Sequence, residues 1–127
     1  MINVEEALAI HKILIAQFGG TEGVRNMNGL EGALNRPYST FEGADLYKDG
    51  VEKASALIES LISNHPFLDG NKRIGYVLMR LTLLEYGLDI EASEERKYEF
   101  VIKIASGQLK FEEIKAWISE NIKIEKR

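Results

Sequence analysis

Along most of the chain, apolar residues return every three or four positions, the spacing that puts them on one side of an α-helix. Val4, Ala7, Leu8, Leu14 and Phe18 follow Asn3, with Glu6 placed to complete a capping box, so a helix is expected over residues 3–18, closed by Gly19-Gly20. Residues 21–28 are rich in Gly and Asn and read as a loop. A short helix over 30–35 must stop before Pro37. Residues 38–49 are the least helical, and Tyr38, Ser39, Thr40 and Phe41 ahead of Glu42-Gly43 suit either a short extended flap or an irregular loop. From Val51 the apolar positions Ala54, Leu57, Ile58, Leu61 and Ile62 cover more than one side, the mark of a largely buried central helix that ends near Asn64.

The next helix starts near Gly70. Its stripe is Ile74, Val77, Leu78, Leu81 and Leu84, with Lys72, Arg73, Tyr76 and Arg80 largely off it, and Gly87 closes it. Helices over 94–106 and 111–122 flank Gly107, and the charged tail 123–127 is expected to fray. His11 reads as structural, and Trp117 as a core or interface residue. With neither repeats nor a linker, the pattern predicts one all-α domain over residues 1–127, a bundle of about six helices with a short flap or hairpin.

Composition narrows the function. The chain has 127 residues, 45% hydrophobic and 28% charged, which suits a packed core and not a disordered chain. A net charge of -4 argues against a general attraction to nucleic acid. The absence of cysteine removes thiolate metal sites, and no apolar run is long enough for a membrane span. The amino terminus also lacks the pattern of a signal peptide, so the expected location is cytoplasmic.

The chemistry concentrates in Asn64-His65-Pro66-Phe67-Leu68-Asp69-Gly70-Asn71-Lys72-Arg73. Pro66 biases His65 towards extended backbone and so towards a loop. Gly70 lets the chain turn into a helix whose first free N–H groups and positive dipole end favour an anion. Lys72 and Arg73 are badly placed for that dipole unless an anion lies between them. Asp69 can hold Mg²⁺ together with phosphate oxygens and water, and Asn71 can donate its amide to a phosphate. A neutral His65 can take a proton from an attacking hydroxyl. Each residue alone has a plain alternative: His65 a structural contact, Asp69 an N-cap, Asp-Gly-Asn a turn, Lys72 and Arg73 a solvated face. Together within nine residues they point to phosphoryl or nucleotidyl transfer, where positioning and charge neutralisation carry most of the catalysis.

Residues 65–73 resemble the Fic family signature His-Pro-Phe-x-Asp/Glu-Gly-Asn-Gly-Arg-x-x-Arg, and with Asn71-Lys72-Arg73 they are more similar to its Doc (death-on-curing) branch. Residues 29–37, Gly-Leu-Glu-Gly-Ala-Leu-Asn-Arg-Pro, extend the likeness. The resemblance implies an all-α Fic fold, His65 as the base, Asp69 as the Mg²⁺ ligand, and Gly70, Asn71 and Arg73 on phosphates. Lys72 in place of glycine and Tyr76 in place of the second arginine depart from the adenylylating pattern, and both alter the phosphate pocket.

The Doc likeness therefore implies a toxin kinase that moves the γ-phosphate of ATP to a threonine of translation elongation factor Tu. It further implies a flap at Tyr38–Phe41 that aligns the target, and a separate antitoxin acting in trans. The Fic inhibitory pattern Ser/Thr-x-x-x-Glu-Gly/Asn is approached only by the six residues Ala116 to Asn121, which begin with alanine. Adenylylation of a protein hydroxyl and a catalytically silent binding domain are the alternatives.

Overall fold

Capping chemistry sets where the helices begin. In the computed structural model, which describes residues 1–125, Asn3, Asn26, Asp49 and Ser93 each accept a backbone N–H from the first turn of a helix. These open α1 (Val4–Phe18), α2 (Met27–Asn35), α3 (Gly50–Asn64) and α5 (Glu94–Ala105). Two helices lack such a hydrogen-bonded cap, α4 (Asn71–Glu85) and α6 (Phe111–Glu120). The expected capping box of α1 is present, Asn3 Oδ1 accepting from Glu6 N at 2.8 Å and Asn3 N donating to Glu6 Oε1 at 3.1 Å. The fold is mostly α, with six α-helices and two small antiparallel strand pairs among the described residues.

The central pair is α3 and α4, and α3 is buried on nearly all sides from Lys53 to Ile62. On one side Ala7, Leu30, Ala33, Leu57, Leu61, Phe67, Ile74 and Leu78 form a core shared by α1, α2 and the loop between α3 and α4. On the other, Ala54, Ile58, Ile62, Met79, Leu83, Phe100, Ile104, Ile114 and Ile118 form a second core with α5 and α6. An α3 with polar residues on one broad face could not separate two cores, so its two-sided apolar pattern is what makes it central.

The expected stripe on α4 is turned. The buried residues are Ile74, Gly75, Leu78, Met79, Thr82 and Leu83, while Leu81 is exposed. Contact with two cores widens the buried face of α4 and moves it towards α3, where Gly75 lets Ile62 approach. The flap is also shorter than expected. Pro37 holds Arg36–Tyr38 in a 3-10 turn, so Tyr38 lies outside the hairpin. The hairpin pairs β1 (Thr40–Phe41) with β2 (Ala44–Asp45) across Glu42 and Gly43, both at positive φ, as a two-residue turn of this hand requires. Helix α2 begins before residue 30 because the Asn26 cap draws residues 27–29 into its first turn.

The carboxyl end corrects a further expectation. Ile122–Ile124 does not fray but forms β4, antiparallel to β3 (Leu88–Ile90), while Lys126 and Arg127 lie outside the described residues. Strands of three residues are too short to display a period of two, and their pairing joins segments far apart in sequence. Beside this pair, Arg80 holds the buried Asp89 with two hydrogen bonds, at 2.8 and 2.9 Å.

The hydrogen bonds from Arg80 keep the Asp89 carboxyl below the usual carboxylate range against the opposing effect of burial, and the Ile90 N–H adds to the lowering. A depressed carboxylate stabilises the fold above its unfolded pKa of about 3.9, and that contribution is lost as pH falls through the folded value. Asp89→Asn is therefore expected to cost about 1–3 kcal/mol near neutral pH. The difference from wild type should shrink as the pH falls from neutral to below the unfolded value. Urea titrations at both pH values check this, and a difference independent of pH would refute it.

Candidate active site

The segment from His65 to Arg73 occupies the turn between the central helices. Helix α3 ends at Asn64, as Pro66 requires, but His65 is not extended: it takes the left-handed conformation, φ 46° and ψ 56°. The pre-proline bias is overridden by closure of the helix end and by a brace from residues 23–26. Arg25 donates from Nε to the His65 carbonyl and from Nη2 to the Asn64 carbonyl, both at 2.8 Å. The Arg25 and Asn26 N–H groups both reach the Pro66 carbonyl, Leu68 N donates to the Gly23 carbonyl, and Val24 pairs with Phe67 as an isolated bridge. His65 and Glu42 are the non-glycine residues at positive φ among the described residues. Strain at a functional loop persists where its surroundings over-determine it, and here they do. The imidazole itself is exposed and has no hydrogen-bond partner among the described residues.

Asn71 braces the loop from the other side. Its Oδ1 accepts from Phe67 N and its Nδ2 donates to the Phe67 carbonyl, both at 3.0 Å, so the amide expected on phosphate is engaged at both ends with backbone. Phe67 is buried and stacks on His11 at a centroid distance of 3.8 Å. The buried His11 makes a 2.8 Å hydrogen bond from Nε2 to the Asp69 carbonyl; because a carbonyl only accepts, Nε2 carries the proton. The reading of His11 as structural fits these contacts, and they make it the floor of the loop.

Both Asp69 carboxylate oxygens receive a backbone N–H, Oδ1 from Gly70 at 2.8 Å and Oδ2 from Thr21 at 3.2 Å. The carboxylate is oriented and remains exposed, with lone pairs to spare. Among the described residues no cluster of three His, Cys, Asp or Glu gathers, so a cation held by Asp69 would have to complete its shell with oxygens from elsewhere. Gly70 is left-handed, φ 76°, and offers no side chain to cap α4. The first amides of α4 are thereby left to other partners.

Asp69, Gly70, Asn71, Lys72 and Arg73 line one end of a cleft of about 550 Å³ between α4, the end of α1 and α5. This is within the range of about 300–1,000 Å³ common for ligand pockets. Lys72 and Arg73 are exposed at its mouth, and the Arg73 guanidinium lies 4.2 Å over the Phe18 ring. Leu14, Val101 and Ile102 give the cleft an apolar wall. His65 is not among the lining residues; it stands outside, at the far end of the loop. Of the flap residues, Thr40 and Phe41 are exposed, whereas Tyr38 is half-buried beside Lys53 Nζ, 5.4 Å from its ring centroid. Arg36 anchors the base of that region to α3 through Glu59 and Ser60.

Arg25, His11 and Phe18 support the site without any local signal in the sequence, since each meets the loop only through tertiary contact. Arg25→Met should release the loop. Exchange of the Phe67 and Leu68 amides is expected to quicken about tenfold or more, given two hydrogen bonds worth roughly 0.5–1.5 kcal/mol each. Unchanged exchange would show that the backbone pairing alone holds the loop.

Residues 1–83 match the model of the Fic/DOC family. A curated relative, Toxin Doc of Mycolicibacterium smegmatis, is 44% identical over 59 residues, covering 46% of this chain and 45% of the relative, so the match spans less than half of that protein's own length. The family match takes in α1, α2, the hairpin, α3, the braced loop and most of α4, while the α5 wall of the cleft lies beyond it. The chain belongs to the Fic/DOC family.

Proposed function

We propose that this chain is a toxin-type protein kinase that transfers the γ-phosphate of ATP to a hydroxyl of a target protein. Family membership supports a transferase acting on protein, and likeness to a protein named Toxin Doc supports the toxin role. The observation that carries the reading is the start of α4, where uncapped amides, a left-handed Gly70 and the exposed Lys72 and Arg73 converge at the mouth of a cleft large enough for a nucleotide.

In this reading the Gly70 turn, Lys72 and Arg73 grip phosphates at the helix start. Asn71 acts mainly by holding the loop. Asp69 would hold Mg²⁺, which when bound neutralises phosphate charge. His65 takes the proton of the target hydroxyl as its oxygen bonds to the γ-phosphorus; the bond to the β-phosphate oxygen breaks and ADP leaves. Because His65 stands outside the cleft, the γ-phosphate must project over the loop while the nucleoside lies inward. Lys72 favours this orientation, since its side chain fills space that glycine would leave for an α-phosphate. The exposed Thr40–Phe41 edge aligns the target segment by strand pairing. A threonine of elongation factor Tu is the candidate target, and a separate antitoxin the candidate inhibitor.

Incubation of cell lysate with the protein and ATP labelled at the α- or γ-phosphate tests the reading. Label should pass to protein only from the γ position. Transfer only from the α position would establish nucleotidyl transfer instead, and transfer from neither would leave a binding domain.

A further inference from the structure

Among the described residues, the Tyr76 hydroxyl is the one buried side-chain oxygen or nitrogen with no hydrogen-bond partner. Buried polar groups are nearly always paired, and leaving one unpaired costs stability, so such a group in an ordered helix calls for a reason. Tyr76 lies three residues beyond Arg73 on α4 and is one of the residues lining the same cleft, with Lys97 and Tyr98 of α5. The ring also packs against the second core, which fixes its place. Burial raises the phenol's pKa, the main cause, with Lys97 and Arg80 opposing it and Asp89 and Glu94 reinforcing it; the hydroxyl therefore keeps its proton and can donate.

We infer that Tyr76 is a specificity-determining residue whose hydroxyl hydrogen-bonds the nucleoside portion of the bound nucleotide, not its phosphates. This deepens the kinase reading above and rests on it. The assignment follows from position. Phosphates belong at the first amides of α4, between Lys72 and Arg73. Tyr76 is about one helical turn, 5.4 Å, further along the axis, beside the apolar wall of Leu14, Val101 and Ile102. The charge nearest that wall, the Lys97 ammonium, is taken up by Glu94 at 3.1 Å, so apolar surface beside a neutral hydroxyl suits a sugar or base and offers a phosphate no fork of donors. The unpaired hydroxyl is then a group held ready for its ligand, at a cost in the stability of the free protein.

Tyr76→Phe removes one oxygen and keeps the ring. The test compares wild type and this variant by calorimetric titration with Mg·ATP and with Mg·tripolyphosphate, and by thermal unfolding without ligand. ATP should bind the variant about 3- to 10-fold more weakly, the worth of one neutral hydrogen bond. Tripolyphosphate should bind both proteins equally. Without ligand the variant should melt about 2–5 °C higher, because the unpaired group is gone.

Equal ATP binding by the two proteins would overturn the role of Tyr76 and leave the kinase reading intact. Equal weakening of ATP and tripolyphosphate would overturn the nucleoside assignment, and a lower melting temperature would reveal a structural partner and overturn the inference. A wild-type protein that binds neither ligand would overturn the kinase reading together with this one.

Discussion

Alanine at position 65 is expected to lower the transfer of label from ATP to protein by about 10²–10⁴-fold, the usual loss when a general base is removed. The melting temperature should stay close to that of wild type. The two expectations separate because of where the side chain is. The imidazole is exposed and without a hydrogen-bond partner among the described residues, so folding gains little from it. What holds the loop is backbone: Arg25 on the 65 carbonyl, Gly23, Arg25 and Asn26 on Leu68 and Pro66, and Asn71 on Phe67. None of these bonds uses the imidazole. Asparagine, which tolerates the left-handed conformation better than most residues, makes a useful second variant: it should be as inactive as alanine and at least as stable. Full transfer activity in either variant would remove His65 from the chemistry and favour a binding domain.

Phe67→Ala should have the largest effect on stability, about 3–5 kcal/mol, as for other buried phenylalanines cut to alanine. Against a typical total of about 5–15 kcal/mol, that endangers the fold. The ring is fully enclosed in the first core, stacked on His11 and set between the two backbone bonds from Asn71. Its loss opens a cavity beneath the candidate site and leaves the buried His11 without its stacking partner. The expected fall in melting temperature is about 10–20 °C. Leu68, the next residue, is 55% exposed, so Leu68→Ala should cost less than about 1 kcal/mol. Comparable losses for the two variants would mean that the loop does not rest on its phenylalanine anchor.

The legible parts of this fold are those where local pattern and tertiary demand agree. The Asn3 and Glu6 box, the apolar α3 and the Gly19 and Gly87 helix ends could be read because a cap is a contact of three residues and a buried helix carries its own period. The face of α4 could not, since which of its apolar residues are covered depends on α3 and on two separate cores. The β3–β4 pair was hidden for a similar reason: each strand is three residues long and takes its meaning only from the other.

For the site, sequence by itself determined the chemical inventory. His65, Asp69, Gly70, Lys72 and Arg73 lie within nine residues, and Pro66 and Gly70 dictate a loop followed by a helix start, because backbone restrictions at those two residues are local. Only the tertiary structure decided how that inventory is arranged. It put His65 in a left-handed turn under the grip of Arg25, committed the Asn71 amide to backbone, and set Arg73 over Phe18. It also enclosed the Tyr76 hydroxyl beside a cleft that leaves His65 outside. Those outcomes depend on α1, α5 and the loop before α2 arriving from elsewhere in the chain. The spacing of residues 65–73 holds no information about such distant partners, whose approach is fixed by burial of the two cores.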